Sequence, residues 1–160
     1  YIDENGHGTH CAGTIGGVTY GVAKNATIVG IKVLDADGAG SNSAVISGIS
    51  WVAKNAGGTG VLSMSLGGTY SSALNSAVTS TINTGVTVVV AAGNDNANAA
   101  LYSPASAPSA ITVGAIASTK AKASFSNYGS VVDVFAPGVN ILSSWVGSNT
   151  ATNMISGTSM

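Results

Sequence analysis

The chain has 160 residues, of which only 5 are Lys or Arg and 6 are Asp or Glu, and its formal net charge is −1. That balance excludes nucleic-acid binding, which needs a cluster of phosphate-neutralising cations, and a hydrophobic content of 45% excludes disorder. No apolar run approaches the ~18 residues of a membrane-spanning helix, and a single Cys cannot build a disulfide framework. Polarity comes instead from 22 Ser, 15 Thr and 13 Asn, an uncharged composition that often accompanies secretion. The first residue is Tyr1 rather than Met, so a processed or truncated chain is expected.

In chain order, residues 6–14 read GHGTHCAGT, where Thr9 is placed to cap a short helix through Ala12. Residues 27–34, TIVGIKVL, read as a buried strand, followed by the loop DADGAG at 35–40. Ser41 or Asn42 caps a helix carrying Val45, Ile46, Ile49, Val52, Ala53 and Ala56 at helical spacing, and Gly57-Gly58 stops it. Residues 60–66 are a second strand. Ser71 or Ser72 then caps a second helix with Leu74, Ala77, Val78, Thr81 and Ile82 on one face, ending at Gly85. Residues 86–92 are a third strand, and 111–116 and 131–135 are further strand-like runs. Strands alternating with helices predict an α/β fold, a parallel sheet covered by helices on both faces. Sites in such sheets form at the carboxyl ends of strands, which singles out the loops 35–42, 67–70 and 93–104.

His7 lies between two glycines, which let other backbone approach it, and it suits proton transfer near neutral pH. A structural His in a turn is the equal alternative on this feature alone. His7, His10 and Cys11 offer nitrogen and sulfur ligands, but no further Cys or His follows to close a zinc site. Ser159, after Gly157 and Thr158, is a candidate nucleophile once paired with His7. Asn94 ends the strand-like run in AAGN, where an amide can donate to a developing oxyanion; an ordinary Asn turn is the local alternative. In SMSLGG, 63–68, a strand running into two glycines offers an edge to an extended peptide. GAGSNS at 38–43 fails as a phosphate loop, because Ser43 replaces the third Gly and Asp35 and Asp37 repel phosphate.

Taken together and in order, HGTHCAG, SMSLGG, AAGN and SGTSM resemble the subtilisin-like serine proteases, and within them the proteinase K and fungal alkaline protease group. SPASAPSAITVGA at 103–115, FSNYGSVVDVFAPG at 125–138 and ILSSWVGS at 141–148 resemble the same group. The resemblance implies His7 as general base, Ser159 as nucleophile and Asn94 as oxyanion donor, with an acyl-enzyme intermediate. Chain order in that family is Asp, His, Ser, so the orienting Asp belongs upstream and is not assigned in this chain; Asp3 is not nominated. The 160 residues are therefore expected to be the middle of a catalytic domain, without its Asp-bearing strand or the helix after Ser159, and inactive alone.

The resemblance also implies substrate contacts. Ser65, Leu66 and Gly67 form one wall of the main specificity pocket, and Ala91, Ala92 and Gly93 the other. Asp37, Gly38 and Ala39 form the edge that pairs with substrate backbone. Uncharged walls predict apolar or aromatic side chains before the scissile bond. A structural calcium is implied on Asp133 with the carbonyls of Pro108 and Ala110, the alternative being a hydrogen-bonded structural Asp. No cofactor is needed for the chemistry. Cys11 is expected to be a small packing residue. The implied protein is an extracellular, monomeric endopeptidase whose partners are polypeptide substrates and its own propeptide, with no membrane. The rival reading is a non-catalytic member of the same fold.

Overall fold

The computed structural model describes residues 2–160. Three α-helices are present among the described residues: α1 (His7–Gly16), α2 (Asn42–Asn55) and α3 (Ser72–Ile82). The central sheet holds β1 (Val61–Met64), β3 (Thr87–Ala91), β5 (Ile111–Ile116) and β6 (Val134–Pro137) in that spatial order, with every pairing parallel. Beside it lie two antiparallel ribbons, β2 (Gly68–Thr69) with β4 (Tyr102–Ser103), and β7 (Ile141–Ser144) with β8 (Thr152–Ile155). The α/β architecture with a parallel sheet is as the alternation of elements predicts.

Helices α2 and α3 form where local signals agree. Ser41 Oγ accepts from Ala44 N–H, and Ser71 Oγ accepts from Leu74 N–H, so each helix has a side-chain cap. Val45, Ile49 and Val52 of α2 and Leu74 and Val78 of α3 then point inward onto Met64, Val88 and Val90 of the sheet. Each such buried Val or Leu stabilises the fold by about 1.5–3 kcal/mol. A second, smaller cluster joins Ala92, Ala99 and Ala105 with Val131 and Val132.

Three expectations are corrected. Residues 27–34 form no strand, because no described residue hydrogen-bonds alongside them. A run of β-branched residues specifies extended backbone, but a strand also needs a partner. Ile31 and Val33 still pack on the core beside α2, while Ile28 and Val29 are 42% and 62% exposed. Gly48 permits that packing, since a Cβ there would lie 2.6 Å from Val33 Cγ1. The last strand of the sheet starts at Val134, not 131. Val131 and Val132 are apolar because they pack in the smaller cluster, so Asp133 precedes the strand and is exposed. The first helix starts at His7, so Thr9 lies inside it and does not cap it. The β7–β8 ribbon was not anticipated, because its strands, ILSS and TNMI, are four residues each and carry no alternation of polar and apolar positions.

Candidate active site

His7 is the first residue of α1, and the residue before it, Gly6, adopts a left-handed φ of 101° with no side-chain cap of its own. The capping comes from Asp3. Its Oδ1 accepts from Asn5 N–H at 3.0 Å and Gly6 N–H at 2.9 Å. Its Oδ2 accepts from Thr9 N–H at 2.9 Å and Thr9 Oγ1 at 2.6 Å. A carboxylate at a helix N-terminus also meets the positive end of the helix dipole. Desolvation alone would raise the Asp3 pKa, but the bonds from the Thr9 hydroxyl and the Gly6, Thr9 and Asn5 amides outweigh it and hold the pKa at about 2, below the ordinary 3.8. A carboxylate with a depressed folded pKa stabilises the fold above its unfolded value and loses that contribution as pH falls. Asp3→Asn is therefore expected to lower the melting temperature at neutral pH, with the deficit shrinking between pH 4 and pH 2; thermal scans across that range check it.

Asn5 ties His7 to its surroundings. Asn5 Oδ1 accepts from His7 N–H at 3.2 Å, and Asn5 Nδ2 donates to Ala36 O at 2.9 Å. The His7 imidazole Nε2 faces Cys11 Sγ at 3.9 Å. Burial, and secondarily the neighbouring His10, lower the His7 pKa below its ordinary 6.5, against an opposing pull from Asp3. The proton-accepting form of His7 thus persists to lower pH than in a free imidazole. No carboxylate bonds to its ring among the described residues, and Asp3 has both oxygens engaged by the loop.

Ser159 comes to the same place from the other end of the chain. Its carbonyl accepts from Ser65 Oγ at 2.8 Å and Cys11 Sγ at 3.4 Å, and its Oγ makes a long bond of 3.5 Å to Ser65 O. Cys11 therefore touches both His7 and Ser159, and burial pushes its thiol pKa up, away from reactive thiolate. It is a free cysteine. No hydrogen bond joins Ser159 Oγ to His7 among the described residues.

Asn94 is held by its oxygen. Thr158 N–H and Thr158 Oγ1 donate to Asn94 Oδ1 at 2.9 and 3.0 Å, and Gly93 N–H donates to Thr158 Oγ1 at 3.1 Å. With Oδ1 occupied, the Nδ2 donors are left for another acceptor. Sequence reasoning missed Thr158, Asn5 and Asp3 as orienting groups. Thr158 had a visible signal, a hydroxyl directly beside Ser159; the other two act through backbone amides, which leaves no mark in a motif.

Ser65, Leu66 and Gly67 and Ala91, Ala92 and Gly93 line one cleft of about 480 Å³, together with Asn94, Asp95, Thr158 and Ser159. Asp37, Gly38 and Ala39 do not line it. They form an exposed turn whose Asp35 carboxylate accepts from the Asp37 and Ala39 amides, and Asn5 ties the adjoining Ala36 carbonyl to the loop before His7. Asp133 Oδ2 accepts from Thr112 N–H at 2.8 Å, leaving its other oxygen unengaged among the described residues. No hydrogen bond there uses the carbonyls of Pro108 or Ala110 either. One carboxylate and two carbonyls, all oxygen donors, fit calcium chemistry.

The subtilase family profile, peptidase S8, matches residues 1–160. The chain belongs to the subtilase family. It is 70% identical over 159 residues to "Subtilisin-like protease 2" of Pseudogymnoascus destructans, covering 99% of this chain and 40% of the relative. It is 62% identical to a "Cuticle-degrading serine protease" of Arthrobotrys oligospora, covering 99% and 39%, and 62% identical to an "Extracellular serine proteinase" of Thermus, covering 99% and 38%. A crystal structure of a cold adapted subtilisin-like serine proteinase superposes with a TM-score of 0.95 at 56% identity, covering 99% of this chain and 57% of that one. This subtilase chain thus spans about two-fifths of the curated relatives it matches.

Proposed function

We propose that the protein carrying this chain is a secreted serine endopeptidase that cleaves after apolar or aromatic side chains. The observation that carries the reading is that Ser159 and Asn94 line one cleft and His7 reaches Ser159 through Cys11, the three coming from distant stretches of chain. A hydroxyl is a weak nucleophile at neutral pH, so Ser159 Oγ needs its proton taken by His7 as it attacks the scissile carbonyl. The developing oxyanion is met by Asn94 Nδ2 and the Ser159 backbone N–H, donors fixed before substrate arrives. Collapse of the tetrahedral intermediate leaves an acyl-enzyme and returns the proton from His7 to the leaving amine; water then repeats the sequence. Thr158 supports this chemistry by occupying the wrong end of the Asn94 amide.

The stretches 65–67 and 91–93 carry no charge, although Asp95 lines the same cleft, so a Lys or Arg side chain seated between those two stretches gives up its hydration for uncharged neighbours. Among matched peptide substrates, Phe, Leu or Tyr before the scissile bond is expected to give kcat/KM at least about tenfold above Lys or Arg, the size of a modest burial penalty. A best substrate with Lys or Arg there would sink the pocket reading. The 160-residue chain alone is expected to turn over none of them, since no described carboxylate orients His7. The protein's recovery from culture medium rather than cell lysate checks secretion, a reading supported by the extracellular relative.

We further infer that Asp133, with the carbonyls of Pro108 and Ala110, holds a structural calcium. When bound, the ion would cross-link the turn before β5 to the residue before β6. Removing calcium with a chelator is expected to lower Tm, and Asp133→Asn is expected to abolish that shift. An equal Tm with and without chelator would leave Asp133 as a hydrogen-bonded structural residue.

A further inference from the structure

His10 is fully buried, yet only one of its ring nitrogens has a partner. Nε2 lies 3.0 Å from Ile141 O in β7, and a carbonyl only accepts, so the hydrogen sits on Nε2. Nδ1 is buried with no partner among the described residues. An imidazole with one orphan nitrogen is a costly way to fill a core position. What it supplies, and a hydrocarbon would not, is the directional bond to Ile141.

That bond is one of several between α1 and the β7–β8 ribbon. Ser143 Oγ donates back to His10 O at 2.9 Å. The Trp145 indole stands edge-on to the His10 ring, with centroids 6.2 Å apart. The same indole lies against Gly6, where a Cβ would fall 2.5 Å from Trp145 Cζ2. Gly6 is the residue before His7. The helix bearing His7 is therefore bolted to β7 at its first and second turns. At the far end of the ribbon, β8 stops at Ile155, four residues before Ser159, and Gly157 N–H donates to Gly138 O at 2.8 Å. One ribbon thus connects to both halves of the site.

We propose that the β7–β8 ribbon is the bracket that sets the separation of His7 and Ser159, and that His10 is a positioning residue acting through its Nε2 bond to Ile141. The inference rests on the reading of His7 as base and Ser159 as nucleophile. A base displaced by about 1 Å loses much of its rate, on the order of a hundredfold, without losing substrate affinity.

The test uses the full-length protein and one apolar peptide substrate. His10→Leu removes the bond at similar volume, and His10→Gln returns a side-chain N–H to the place of Nε2. The Leu variant is expected to lose kcat by about tenfold or more with KM within about threefold, and the Gln variant to recover most of the loss. Should the Leu variant not fold, Ser143→Ala, which deletes the returning bond at little volume cost, is expected to show the same fall in kcat. Active parent protein with kcat unchanged in the variant that folds, a loss confined to KM, or no recovery in Gln overturns the positioning role alone. Absence of any Ser159-dependent turnover in the unsubstituted protein overturns both the positioning role and the catalytic reading beneath it.

Discussion

Ser159→Ala in the full-length protein is expected to lower kcat for peptide hydrolysis by about 2 × 10⁶; the figure is subtilisin's own, and subtilisin is a member of this family. The physical reason lies in the division of labour. Without Oγ there is no acyl-enzyme, so the route left is direct attack by water on a carbonyl that the cleft still holds and polarises. The substitution should do little to the fold. Ser159 is bound chiefly through its carbonyl, by Ser65 and Cys11, and its Oγ makes a single long bond. KM and the melting temperature are therefore expected to stay near parental values while kcat collapses. Steady-state kinetics beside a thermal scan separate this from unfolding. A variant that keeps more than a hundredth of parental kcat would move the nucleophile elsewhere.

Asn94→Leu should produce the second largest loss, about 10²–10³ in kcat, again a magnitude that belongs to subtilisin. Leu keeps the branched heavy-atom skeleton of Asn and removes the Nδ2 donor. It also removes Oδ1, which accepts from both the amide and the hydroxyl of Thr158. Those donors are partly buried, so some stability goes with the rate. Thr158→Val tests that division: it keeps the backbone bond and the shape, deletes the hydroxyl, and should cost less than the Asn94 change in kcat. The sign in KM matters as much as the size. A donor aimed at charge that develops only in the transition state leaves ground-state binding almost untouched. A rise in KM with kcat preserved would make Asn94 a substrate-binding residue.

What could be read from the sequence followed from where the determinants lie. Helices α2 and α3 were legible because cap, apolar spacing and glycine stop all sit within each segment. The same holds for β1, β3 and β5, compact apolar runs bounded by turns. The start of α1 was not legible, because its cap is a carboxylate several residues upstream that reaches back over a left-handed glycine. Residues 27–34 read as a strand on their own composition, but pairing is a property of two segments, and no described segment lies alongside. Val131 and Val132 misplaced β6 for a related reason: their apolar character serves a side-chain cluster rather than a ladder.

The site divides in the same way. His7, Ser159, Asn94 and the two stretches lining the cleft carry short motifs and were nominated from them; Ser159, Asn94 and those stretches share one cleft, and His7 is joined to Ser159 through Cys11. The turn at 37–39, expected as an edge for substrate backbone rather than as a pocket wall, adjoins Ala36, whose carbonyl Asn5 ties to the loop before His7. The groups that orient the nominated ones were not found: Thr158 and His10 bond across 64 and 131 residues, and Asp3 and Asn5 act on neighbouring backbone amides, which no spacing rule encodes.

The most direct measurement is to treat the full-length protein with a serine-directed phosphonate and locate the adduct by peptide mass spectrometry. The predicted result is one stoichiometric adduct, on Ser159, whose formation tracks loss of peptidase activity and which does not form in Ser159→Ala. Unmodified protein, or an adduct on any other residue with activity lost in step, would contradict the assignment of this cleft as a serine peptidase active site.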